Sequence, residues 1–168
     1  MNANNNQQEQ GEVSHSRIID VVLDENSIGR NTPEVEHERQ VAIFDLLEGN
    51  CFSLDDGPQG PYRLRLAIAE KRLAFEISDE AENHLTTFVL SLSPLNKLIK
   101  DYFLVCESYY EAIKTAPPAR IEAVDMGRRA LHDEGSHLLV KRLNGKITID
   151  FDTARRLFTL ICALHWKG

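Results

Sequence analysis

The chain has 168 residues, 42% hydrophobic and 27% charged, with a formal net charge of −7. That length fits one domain with a real core, and the composition is ordinary for a globular protein. The acidic balance argues against a non-specific nucleic-acid surface, because duplex affinity comes largely from Lys and Arg on phosphates.

Residues 1–16, MNANNNQQEQGEVSHS, are rich in Asn and Gln and nearly devoid of large apolar side chains. Such a stretch cannot offset the entropy of ordering, so a disordered polar tail is expected, followed by a single α+β domain over 17–168. The tail lacks the basic and apolar regions of a signal peptide. No apolar run approaches the roughly 20 residues that span a bilayer. The expected setting is the cytoplasm, with no membrane contact. Cys51, Cys106 and Cys162 are widely separated and match no zinc spacing, so free buried thiols are expected.

RIIDVVLD at 17–24 is short and β-branched and reads as a strand. Asn31 or Thr32 then caps a helix, with Pro33 in its first turn and Glu34, Glu36 and Glu38 near its positive end. That helix runs to about Glu48 and stops at Gly49-Asn50, with Val35, Ala42, Ile43, Leu46 and Leu47 as its apolar stripe. Cys51–Leu54 is a short strand, and DDGPQGP is a loop. Clean alternation follows in three passes: Tyr62, Leu64, Leu66, Ile68; Leu73, Phe75, Ile77; and Phe88, Leu90, Leu92. These read as an antiparallel meander with one apolar face that helices must cover.

At 100° per residue, helix 95–114 turns Leu98, Ile99, Tyr102, Phe103, Val105, Cys106, Tyr109 and Ile113 inward. Leu104 falls alone on its polar side, a partner-contact candidate. Pro117 and Pro118 end that helix and open the next. The next, 118–133, is expected to bury Ala123, Val124, Met126, Gly127, Ala130 and Leu131, to break at Gly135 and to resume to Leu143. Ile147, Ile149 and Phe151 form a last strand. Asp152 caps the core helix TARRLFTLICALHW.

The chemistry gathers in DMGRRALHDEGSHLL. Asp125, Arg128, Arg129 and His132 share one helical face at i, i+3, i+4 and i+7. As a functional set they are ligand-binding candidates: two guanidiniums for a carboxylate or phosphate, with His132 moving a proton. The structural alternative is a solvated face of Asp–Arg pairs. His137 joins the candidates only if Gly135 bends the chain, since five helical steps rotate it away from His132. The His132–His137 spacing differs from the i, i+4 pair of H-E-x-x-H enzymes, so no metal is expected. His37 lies among acids, and His165 falls in an apolar arc as a hydrogen-bonded core residue. Arg155 and Arg156 are partner-contact candidates that pair with acids of a neighbouring helix or of a partner. Phosphate-binding loops, dinucleotide fingerprints and nucleophile elbows are all absent, so no cofactor is expected.

The blocks RIIDVVLDENSIGRNTPEVEHERQVAIFDL, GPYRLRLAIAEKRLAFEI, KDYFLVCESYYEAI, IEAVDMGRRALHDEG and ITIDFDTARRLFTLICALHWKG resemble an uncharacterised alphaproteobacterial protein family, number 0262. The resemblance covers roughly 17–168 and implies a small bacterial cytoplasmic protein. It supplies no reaction, cofactor or catalytic residue.

The expected architecture is α+β, an antiparallel meander of about four to six strands with one face covered by three to five helices. The leading functional reading is a non-enzymatic protein-interaction module, with an unknown protein partner or as a homo-oligomer. Its alternative is a small enzyme or ligand-binding domain that takes an anionic small molecule at Asp125, Arg128, Arg129 and His132. A nucleic-acid binder is disfavoured. It would need Arg63, Arg65, Arg155 and Arg156 on one surface.

Overall fold

The computed structural model describes residues 15–24 and 32–165. Nearly all of the expected tail, together with Asn31 and Trp166, lies outside them. The elements in order are β1 (Ile18–Leu23), α1 (Pro33–Glu48), β2 (Phe52–Leu54), β3 (Tyr62–Ala69) and β4 (Arg72–Ser78). Then come β5 (His84–Ser91), α2 (Ser93–Thr115), α3 (Pro118–Leu143), β6 (Ile147–Ile149) and α4 (Phe151–His165).

The fold is α+β, with four helices among the described residues. The meander is present in β3, β4 and β5, which pair antiparallel in that order. It is not the whole sheet. β1 joins the other edge of β3 in parallel, giving a mixed sheet of order β1-β3-β4-β5. β2 and β6 form a separate antiparallel pair, Phe52 opposite Ile149. A wholly antiparallel arrangement fails because α1 carries the chain across the sheet before β3 begins. A crossover of that kind leaves the flanking strands parallel. β1 contains a bulge between Ile18 and Asp20. The extra residue lets Ile18 and Val21, three apart, both turn inward.

The inward residues of β3 and β4 (Tyr62, Leu64, Leu66, Leu73, Phe75, Ile77) are fully buried and merge with Leu157, Phe158, Leu160 and Ile161 of α4 in one core. Each such side chain is worth about 1.5–3 kcal/mol relative to exposure. α4 is the central helix. Its position is set by α1 on one side and α3 on the other, the two helices it contacts most.

The end of α1 is tied to β1 through Asn50 and to the start of α4 through Cys51. Asn50, just past α1, accepts from Ile18 N at 2.7 Å and donates to Ile18 O at 3.0 Å and Leu46 O at 2.7 Å. Cys51 N donates to Thr153 Oγ1 at 3.0 Å, tying the end of α1 to the start of α4. The two helices therefore run antiparallel.

Several expectations are corrected. α3 is one helix of 26 residues, unbroken at Gly135. A Cβ at Gly135 would come within 2.2 Å of the Phe158 ring, so the glycine is there for contact between α3 and α4, not as a break. The buried face of α3 is Gly135, Ser136, Leu139 and Leu143. Met126 is 66% exposed, and Ala123, Gly127 and Ala130 are exposed. In the N-terminal half of α3 the face turned inward is that of Ile121, Val124, Asp125 and Arg128, and it is only half-buried. Ile113 is likewise exposed near the end of α2, where Ala112 turns inward instead, and Leu47 is 41% exposed. Cys51 is exposed, whereas Cys106 and Cys162 are buried. The cap of α4 is Asp150, whose Oδ1 accepts from Thr153 N at 2.9 Å, and Asp152 sits in the first turn.

Candidate functional site

A concave space of about 610 Å³ opens between α1, α3 and α4. Helical spacing explains how each wall is made. On α1, Glu38, Val41, Ala42 and Asp45 recur every three or four residues and face the space, beside His37. On α4, Asp152, Arg155, Arg156 and Thr159 do the same. α3 adds Arg128, Arg129 and His132, and Tyr102 of α2 contributes at depth. Thr32 Oγ1 accepts from Val35 N at 3.3 Å, which caps α1 and fixes where this wall starts.

Of the sequence-derived ligand candidates, Arg128, Arg129 and His132 line the groove. Asp125 stands behind them. It accepts from Arg128 Nε at 3.1 Å and Nη2 at 2.6 Å, and lies 3.1 Å from Arg129 Nε. Arg128 beside it holds its carboxyl below the usual carboxylate range. Arg128 is further fixed by the Tyr109 ring, 4.4 Å below its guanidinium, and by Glu38 at 3.9 Å. Glu38 in turn accepts from Tyr110 Oη at 2.6 Å. Burial, then the Glu38 carboxylate, pushes the Tyr110 phenol well up.

His137 is not brought to the groove. On an unbroken helix it points elsewhere and stacks on Phe151, centroids 4.3 Å apart. Arg155 and Arg156, expected as partner contacts, both line the groove. Arg155 Nε lies 3.4 Å from Asp133 Oδ1 of α3, the neighbouring-helix pairing anticipated for it. Arg63 and Arg65 lie on the far side of the sheet, paired with Asp20, Asp24 and Glu76. The four arginines do not share one surface. His165 is hydrogen-bonded as expected, its Nε2 3.1 Å from Asn96 Oδ1. Among the described residues no group of three or more His, Cys, Asp and Glu side chains is arranged to hold a metal. Leu104 is 61% exposed.

His132 is set edge-on against Tyr102 and Phe158, with centroids at 5.4 and 5.1 Å. Its Nε2 is 2.8 Å from Thr159 Oγ1, and Thr159 Oγ1 donates to Arg155 O at 3.2 Å. A hydroxyl has one proton, so with both bonds made it accepts from His132 Nε2–H. Nδ1 is then the bare acceptor, with no hydrogen-bond partner among the described residues. Burial, reinforced by Arg155, pushes the imidazole down to about 4, so it is neutral at pH 7.

Glu38, Asp45 and Thr159 were missed from sequence. The signal was present in the i, i+7 spacing of Glu38 and Asp45 around Val41 and Ala42. Only the tertiary placement of α1 against α4 shows that this face meets a cavity.

A model of the uncharacterised protein family UPF0262 matches residues 15–167. The chain is 58% identical over 156 residues to a UPF0262 protein of Mesorhizobium japonicum, covering 92% of this chain and 96% of the relative. It is 59% identical over 157 residues to one from Brucella anthropi (93% and 98% covered) and 59% identical over 158 residues to one from Brucella canis (94% and 98%). No solved structure matches the chain.

Proposed function

The chain belongs to the uncharacterised protein family UPF0262, and we propose that it binds a small polar molecule in the groove between α1, α3 and α4. The observation that carries this reading is convergence. Charged side chains from three helices, four of them arginines, meet around about 610 Å³, within the range of small-molecule sites. The floor is rigid, because Arg128 is held from three directions and His132 is packed between two rings. The reading is binding without catalysis. Thr159 is the hydroxyl that meets an imidazole here, and it gives its proton to a backbone carbonyl and so is not poised as a nucleophile. The proposed setting is the cytoplasm, which suits three free thiols.

Val41 lines the groove at 43% exposure, so Val41→Trp fills it without entering the core. Protein purified gently and then denatured should release a small molecule that mass spectrometry detects with the wild type and not with Val41→Trp. Equal recovery from both, with the fold intact, would contradict the reading.

A second reading rests on Leu104, which is 61% exposed on α2. As a contact to a second copy or another protein, it predicts that Leu104→Glu lowers the solution mass measured by light scattering, or abolishes capture of a stoichiometric partner. Unchanged mass and unchanged partners would remove it.

A further inference from the structure

The charges lining the groove are of two kinds. Arg128, Arg129 and Arg155 are answered by carboxylates of the chain itself: Asp125 with Glu38, Asp125, and Asp133 respectively. Arg156 is not. Its Nη1 donates to the backbone oxygen of Asp152 at 3.1 Å, and its Nε is buried without a hydrogen-bond partner among the described residues. Asp45 and Asp152 line the same space, and neither carboxylate has an ion-pair partner among the described residues.

These three groups sit at one end of the groove. Asp152 and Arg156 are one turn apart on α4. Asp45 is one turn before the end of α1, and that end is bonded to the start of α4 through Cys51 and Thr153. What the protein leaves for a ligand is therefore one guanidinium and two carboxylates. A ligand that displaces water from such groups must bring opposite charges, or it leaves them desolvated and unpaired. A purely anionic ligand on Arg156 meets two carboxylates of its own sign. A purely cationic one leaves Arg156 without a partner.

We infer that the groove takes a zwitterion, an amino acid or short peptide, with its ammonium held by Asp45 and Asp152 and its carboxylate by Arg156. This rests on the reading of the groove as a small-molecule site and replaces the anion at Asp125, Arg128, Arg129 and His132 expected from sequence. His132 and the paired arginines then wall the ligand and leave its end charges to these three residues.

The test titrates isotope-labelled protein with amino acids and dipeptides covering apolar and uncharged polar side chains, so that blocking one end leaves a single charge. Each is used in free form, with the amine acetylated (anion only) and with the carboxylate amidated (cation only). Amide shifts on α1 and α4 report binding. A free form should bind at least tenfold tighter than both blocked forms. In the Asp45→Asn/Asp152→Asn protein it should lose that advantage over the acetylated form. Equal binding of either blocked form, or no binding by any free form, would overturn the inference. A library of neutral and anionic fragments on the same sample separates the two levels. Fragment shifts in the groove without any zwitterion binding sink the zwitterion alone, and no shifts from either set sink the groove reading with it.

Discussion

The open face of the sheet and the helical groove carry similar charges and handle them differently. On the sheet, Arg65 lies between Asp24 at 3.2 Å and Glu76 at 2.5 Å, and Arg63 meets Asp20 at 3.3 Å. Those pairs close on a flat surface. In the groove, Arg156, Asp45 and Asp152 line one concave end and do not pair with one another. Density of charge therefore does not locate a site here. What separates the two regions is whether the fold already supplies each charge with its partner.

The largest effect expected from breaking this comparison is at His132. Its folded pKa of about 4 lies below the unfolded value near 6.5. Between those values the unfolded chain takes up a proton and the folded one does not. Stability is complete above pH 6.5 and is lost as pH falls toward 4, by about 3 kcal/mol from this group. Urea unfolding at stepped pH should show that fall, and His132→Gln should flatten it. The two glycines of α3 come next, with opposite signs. Gly135→Ala drives a methyl into Phe158 and should cost about 2 kcal/mol, as overpacking does. Gly127→Ala meets nothing within 4 Å and should gain about 0.5–1 kcal/mol through helix propensity. Thermal melts read both. The smallest effects compare the two regions directly. Arg65→Ala should cost under about 1 kcal/mol and lose its effect in high salt, as surface pairs do. Asp45→Asn should leave stability within about 0.5 kcal/mol, since no partner is lost.

Strand alternation was legible in the sequence because one face of β3, β4 and β5 meets the core and the other meets water. Helix limits were legible where Thr32, Pro33, Gly49 and Pro117-Pro118 state them. The parallel edge was not, because pairing of β1 with β3 follows from the path of α1 and not from either strand. Gly135 was misread because a glycine that admits a ring and a glycine that ends a helix look alike until Phe158 is placed against it. The Asp125–His132 cluster was visible by spacing alone. The facing walls from α1 and α4 were not, since a groove exists only after three helices, distant in sequence, pack together.

The central claim is that this groove holds a small ligand. The most direct measurement is an amide shift map of isotope-labelled protein before and after addition of the low-molecular-weight fraction of a bacterial extract, repeated on Val41→Trp. The account predicts saturable shifts clustered at Ala42, Asp45, His132, Arg156 and Thr159 in the wild type and none there in the variant. Shifts scattered over the open sheet, or the same shifts in both proteins, would contradict it.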